Sequence, residues 1–196
     1  MTRLMRASEV FKRPVVTFSG EDVAQIKDIV YSAGGGAVGG FTLSGRGIFA
    51  SPLKQSLPWS AVAGMGADAV MIHDFDVLED RDQVLNASAT GGGSGKDVIG
   101  SRVLTDTGVD LGTVVDVIIE TSSSEGGQCD VVGYEIEAAD SLRSSGSRLL
   151  VPLPDTLSAS GEHVIVPGSA ENFIGQDLSG FGAAIREFRD QLRGVN

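Results

Sequence analysis

Three glycines in "IVYSAGGGAVGGF", Gly34, Gly36 and Gly39, have the G-x-G-x-x-G spacing with which a strand-to-helix turn sets backbone N–H groups against a dinucleotide pyrophosphate. That chemistry also needs a helix opening at the last glycine and an acid about 20 residues on for the ribose. The next residues, "FTLSGRGIFAS", alternate and include Gly45 and Gly47, and Trp59 stands at the acid's place. The stretch reads as a hairpin loop. Gly95-Lys96 raises the question of a phosphate loop, but Thr90 stands where that motif has its first glycine. Asp97 succeeds the lysine in place of a magnesium-binding hydroxyl. "NASATGGGSGKD" therefore reads as a linker over residues 86–96. In "IHDFDVLEDRDQVL", His73, Asp74, Asp76, Glu79, Asp80 and Asp82 are potential metal ligands, yet they match neither a paired-histidine helix nor a calcium loop. We expect a solvated acidic turn there, and in His163 a partly exposed residue at a strand start. Cys129 is the sole cysteine, with no histidine or basic cluster near it in sequence. No Ser-His-Asp or Cys-His grouping is present, so no catalytic, cofactor or metal site is expected.

The elements that would position any chemistry come from a duplication. "RPVVTFSGEDVAQIKDIVY" (Arg13 to Tyr31) lies without a gap over "SRVLTDTGVDLGTVVDVII" (Ser101 to Ile119). Val15 meets Val103, Thr17 meets Thr105, Gly20 meets Gly108 and Asp28 meets Asp116. Further on, Gly40 falls on Gly133, Phe41 on Tyr134, Pro58 on Pro152, and "DAVMI" on "EHVIV". In each copy a short strand enters a polar turn, "FSGED" or "DTGVD", whose glycine can take positive φ. A longer β-branched strand then completes a hairpin. After it come a Gly- or Ser-rich loop, a third strand, a loop with a proline and a short final strand. Short strands without helical periodicity between them predict a small β-barrel, made twice.

The stretches "MRASEVFKRPVVTFSGEDVAQIKDIVYS" and "KDVIGSRVLTDTGVDLGTVVDVIIE" resemble the opening of the PRC-barrel family. That fold occurs in the cytoplasmic domain of the photosynthetic reaction-centre H subunit and in the C-terminal domain of the bacterial ribosome maturation factor. The resemblance runs from about Arg6 to Ile72 and from about Lys96 to Ile174, and it implies an all-β chain of two tandem PRC-type barrels. Residues 1–85 would form the first and 97–178 the second. The first copy departs from the pattern in having Ala24 where the second has Gly112, and in an insertion-like "SGRGIFASPLKQ". In the reaction-centre relative, acids of this domain help conduct protons. Asp28 and Asp116 are nonetheless expected to be structural, since both copies keep them and a carboxylate in an apolar strand needs a hydrogen-bond partner.

The segment 179–196 breaks from strand patterning. Phe181, Ile185, Phe188 and Leu192 recur at helical spacing, which predicts an amphipathic helix docked on its own barrel, with a partner-binding or self-association face as the alternative. A net charge of −11 opposes a phosphate backbone, so direct nucleic-acid binding is disfavoured. No apolar run approaches the roughly 18 residues needed to cross a bilayer. The opening residues lack a secretory h-region. A cytoplasmic, non-enzymatic adaptor is the leading expectation, with a protein as partner and homo-oligomerisation open. One alternative is an accessory that holds a ribosomal protein, as in the maturation factor. The other is an accessory subunit of a membrane electron- or proton-transfer complex.

Overall fold

The computed structural model describes residues 2–31, 36–45, 51–88, 98–122, 127–140, 142, 146–154, 158–159 and 162–194. The expected linker thus lies outside the described residues, except for 86–88. In chain order the strands are β1 (Thr2–Arg6), β2 (Pro14–Thr17), β3 (Asp22–Tyr31), β4 (Val38–Ser44), β5 (Pro52–Pro58), β6 (Gly64–Met65), β7 (Val70–Ile72) and β8 (Glu79–Asp80). After helix α1 (Arg81–Ser88) come β9 (Arg102–Thr105), β10 (Asp110–Ser122), β11 (Cys129–Ala138), β12 (Arg148–Pro152), β13 (Ser158–Ala159), β14 (His163–Val166) and helix α2 (Leu178–Gly194). Two compact units result. One comprises Met1–Arg3, Ala7–Gly95 and Glu120–Asp130; the other comprises Leu4–Arg6, Lys96–Ile119 and Val131–Asn196.

Each unit is built on one sheet with the same strand order. The first runs β6-β7-β2-β3-β4-β5-β8 and the second β13-β14-β9-β10-β11-β12, with β1 added to β10. The added strand is why Leu4–Arg6 count with the second unit, so neither unit is a single stretch of chain. Arg6 fastens β1 to β11 through two guanidinium nitrogens on the Glu135 carboxylate, the shortest contact being 2.7 Å.

Register follows the gapless repeat residue by residue. Val15 faces Ala24 as Val103 faces Gly112, and in both copies the ladder shifts at the next pair, giving the same β-bulge. Gly40 pairs with Pro58 and Gly133 with Pro152. The prolines therefore end strands β5 and β12, where a loop was expected. Proline has no N–H to give a ladder, and a strand terminus tolerates that. The strand that opens each repeat lies beside a late strand of the same copy through parallel pairing, β2 with β7 and β9 with β14.

The acidic stretch after β7 is more ordered than the solvated turn expected. Asp74 Oδ1 accepts the Asp76 N–H at 2.9 Å, capping a 3-10 turn over Phe75–Val77. Asp80 Oδ1 accepts the Asp82 N–H at 3.1 Å where α1 begins. Between them β8 pairs with β5.

Helices cover the equivalent glycines. A Cβ on Gly40 would lie 3.2 Å from Val84 Cγ1 of α1, and one on Gly133 would lie 2.7 Å from the Phe181 ring of α2. Glycine is required at these two positions because a Cβ would also meet the neighbouring strand's backbone, Leu57 O at 2.5 Å from residue 40 and Val151 O at 2.8 Å from residue 133. α2 buries Phe181 and Ile185 against Ile118, Val132 and Leu150. Phe188 is fully buried and lies 5.6 Å, centroid to centroid, from Phe173. Three of the four stripe residues are thus buried in the second unit and Leu192 is half-buried. The partner-binding face suggested by Phe181, Ile185, Phe188 and Leu192 is corrected accordingly: a 17-residue helix cannot present to a partner the side chains that complete its own core. Asp177 begins this helix by accepting the Ser179 and Gly180 N–H groups at 2.9 and 3.3 Å. The Ser179 hydroxyl, with those bonds, draws its carboxyl below the ordinary value.

Candidate functional site

The turn after the first strand is built identically in the two copies up to one residue. Thr17 Oγ1 lies 2.7 Å from Ser19 Oγ and accepts the Glu21 N–H at 3.1 Å; Thr105 Oγ1 lies 2.8 Å from Thr107 Oγ1 and accepts the Val109 N–H at 2.9 Å. Gly20 and Gly108 come next at φ of 89° and 83°, a conformation that favours glycine. Parallel pairing sets Thr17 beside Ile72 and Thr105 beside Val166. The first residue of each turn then donates its N–H to the last strand, Phe18 to Ile72 O at 3.1 Å and Asp106 to Val166 O at 2.9 Å.

Side chains diverge at that residue. In the second copy Asp106 Oδ1 accepts the Gly168 N–H at 2.9 Å and so ties the turn to the 3-10 helix Gly168–Phe173. In the first copy Phe18 is 60% exposed and meets the His73 ring edge-on, with centroids 4.9 Å apart. Phe75, two residues on, is 46% exposed. Phe18 and His73 form an exposed aromatic contact, and Phe75 is exposed in the adjoining hydrogen-bonded turn. We take this surface as the candidate site, its chemistry being that of contact.

The residues singled out in the sequence fall elsewhere or into architecture. Asp28 Oδ1 accepts the Ile29 N–H at 3.0 Å beside a register shift, and Asp116 Oδ1 accepts the Val117 N–H at 2.8 Å. Both carboxylates thus serve strand backbone. Gly34 and Gly95-Lys96 lie outside the described residues. Gly36 precedes β4 at φ of 154°, and Gly39 lies within that strand, so no helix opens there. Trp59 instead packs edge-on to Phe41, centroids 6.0 Å apart. Cys129 is buried, and burial together with Asp130 pushes its thiol well above the ordinary value, the opposite of an activated nucleophile. His163 is half-buried in β14. Among the described residues no group of three or more His, Cys, Asp or Glu is placed to hold a metal ion, and no helix is long and apolar enough to cross a membrane.

In the sequence Phe18 belongs to a turn and His73 to an acidic stretch, and nothing local joins them. A signal was present in the repeat: "TFSGE" lies over "TDTGV", an aromatic over a capping acid at a turn position.

Comparison with known families gives one result, and it extends over most of the chain. A family model described as the PRC-barrel domain matches residues 3–79 and again residues 92–173. No curated protein matches the chain.

Proposed function

Because this chain belongs to the PRC-barrel domain family and has two copies in tandem, we propose that it acts as a non-enzymatic protein-interaction adaptor. The observation that carries this reading is the exposed aromatic surface of the first copy, at a place the second copy closes with Asp106. An aromatic ring at a fixed, exposed position supplies contact area at little cost in side-chain entropy. The polar residues kept by both copies, Asp28 and Asp116 among them, hydrogen-bond to backbone, which supports a scaffold role for them.

The test is affinity capture of the tagged protein from its own cells, with nuclease and detergent controls, in parallel with a Phe18→Ser, Phe75→Ser double variant. A partner retained by the unaltered chain and lost by the variant is the expected result. Reproducible thermal stabilisation by a small metabolite or metal ion, with no captured partner, would overturn the adaptor reading.

A further inference from the structure

The geometry points to an arginine-bearing segment of a partner protein as the occupant of the Phe18, His73 and Phe75 surface, an inference that rests on the adaptor reading. Charge around the rings makes the first argument. The two turns that carry them, residues 18–21 and 73–77, contain no lysine or arginine. They do contain Glu21, Asp74 and Asp76, all exposed. Apolar rings with these acids as a rim fit a partner that is cationic and can lie on an aromatic face.

Other occupants fit less well. A second copy of this chain would set acid against acid, on molecules of net charge −11. Nucleic acids and anionic membrane surfaces carry the same sign as the rim. Between the two cationic side chains, the guanidinium is planar and weakly hydrated, stacks on aromatic rings and pairs bidentately with carboxylates. The ammonium is strongly hydrated and does neither as well. Phe18 is placed by its backbone bond to Ile72 and its edge-on contact with His73, and the backbone around Phe75 by the Asp74 cap.

Two synthetic peptides of equal length, one of alternating arginine and glycine and one of alternating lysine and glycine, test this on the full chain. Calorimetry gives the affinities and backbone amide NMR the location. The arginine peptide is expected to bind at least about threefold more tightly than the lysine peptide, to weaken as salt rises, and to shift the amides of Ser19 and of His73 to Asp76. Phe18→Ser and Phe75→Ser should each weaken it about three- to tenfold. Ile165→Ser, on the exposed side of β14, should leave it unchanged. Both phenylalanines are exposed, so the variants should fold, and a thermal melt checks that they do. Absence of binding, shifts at other residues, or equal affinity for the unaltered chain and Phe18→Ser would each overturn the inference. None of these would touch the adaptor reading, which stands or falls on the capture experiment.

Discussion

The two copies share a backbone and differ in how tightly side chains close it. In the second, Gly112 at φ of 139° leaves room for Glu137 O, Gly100 takes φ of 90° before β9, and α2 seats a phenylalanine on Gly133. The first has Ala24, buried, in place of Gly112. Lys12 sits at φ of 63° in place of Gly100, and α1 offers Val84 where α2 offers Phe181. Buried Arg13, whose guanidinium donates to Glu9 O and Gly66 O, replaces buried Ser101. The hydrogen-bond pattern survives all these exchanges: Lys12 N donates to Ile26 O as Gly100 N donates to Val114 O. Backbone bonding therefore defines the module, while the outer side chains are at liberty to finish a core in one copy and meet solvent in the other.

Truncating each helix at its anchor should separate the copies most. Phe181→Ala leaves a cavity over Gly133 and is expected to destabilise by about 3–5 kcal/mol, whereas Val84→Ala should cost about 1–2 kcal/mol. Urea melts of both variants check the ranking, and equal losses would break it. Next in size is the bulge glycine. A Cβ at residue 112 would lie 2.1 Å from Glu137 O, so Gly112→Ala should cost about 3 kcal/mol, against about 1 kcal/mol for Ala24→Gly, read from the same melts.

Alkali offers a third contrast. Burial raises the Tyr134 phenol from 10.0 to about 12, and Phe41 occupies the equivalent place in the first copy. The phenol is protonated in both states below pH 10, so its share of stability is complete there. Above that pH the unfolded chain ionises first, and stability falls by about 1.4 kcal/mol per pH unit until the folded phenol ionises near pH 12. Cys129 titrates in the same direction, so the diagnostic is the difference from Tyr134→Phe, which should show a shallower alkaline decline in melting temperature. The smallest effect concerns Lys12. Relieving its left-handed backbone by Lys12→Gly should stabilise by about 1 kcal/mol, while Gly100→Ala should destabilise by a similar amount; thermal melts at neutral pH check both signs.

How much of this could be read from the sequence depended on whether the cause was local. The gapless match of Arg13–Tyr31 with Ser101–Ile119 anticipated both hairpins and both positive-φ glycines, because period-2 patterning and turn glycines act within a few residues. Strand β5 was hidden in the polar "SPLKQSLP", which lacks the β-branched residues that mark a strand, although it pairs with β4 just before it in the chain. α1 was obscured because Val84, its buried anchor over Gly40, stands among acids that read as solvated. Phe18 and His73 lie 55 positions apart and meet through the parallel pairing of β2 with β7, a contact that patterning within either strand does not encode.

Strand β1 bears on how the protein is made. Arg6 and Glu135 are 129 positions apart, and β1 finds its sheet partner in β10. At about 5–20 residues per second of synthesis, β1 emerges on the order of ten seconds before the hairpin that receives it. Through that interval β1 lacks its sheet partner, and the second sheet is complete when residues made early join residues made late. A gene cut at the glycine-rich segment would therefore release a second half lacking one of its seven strands.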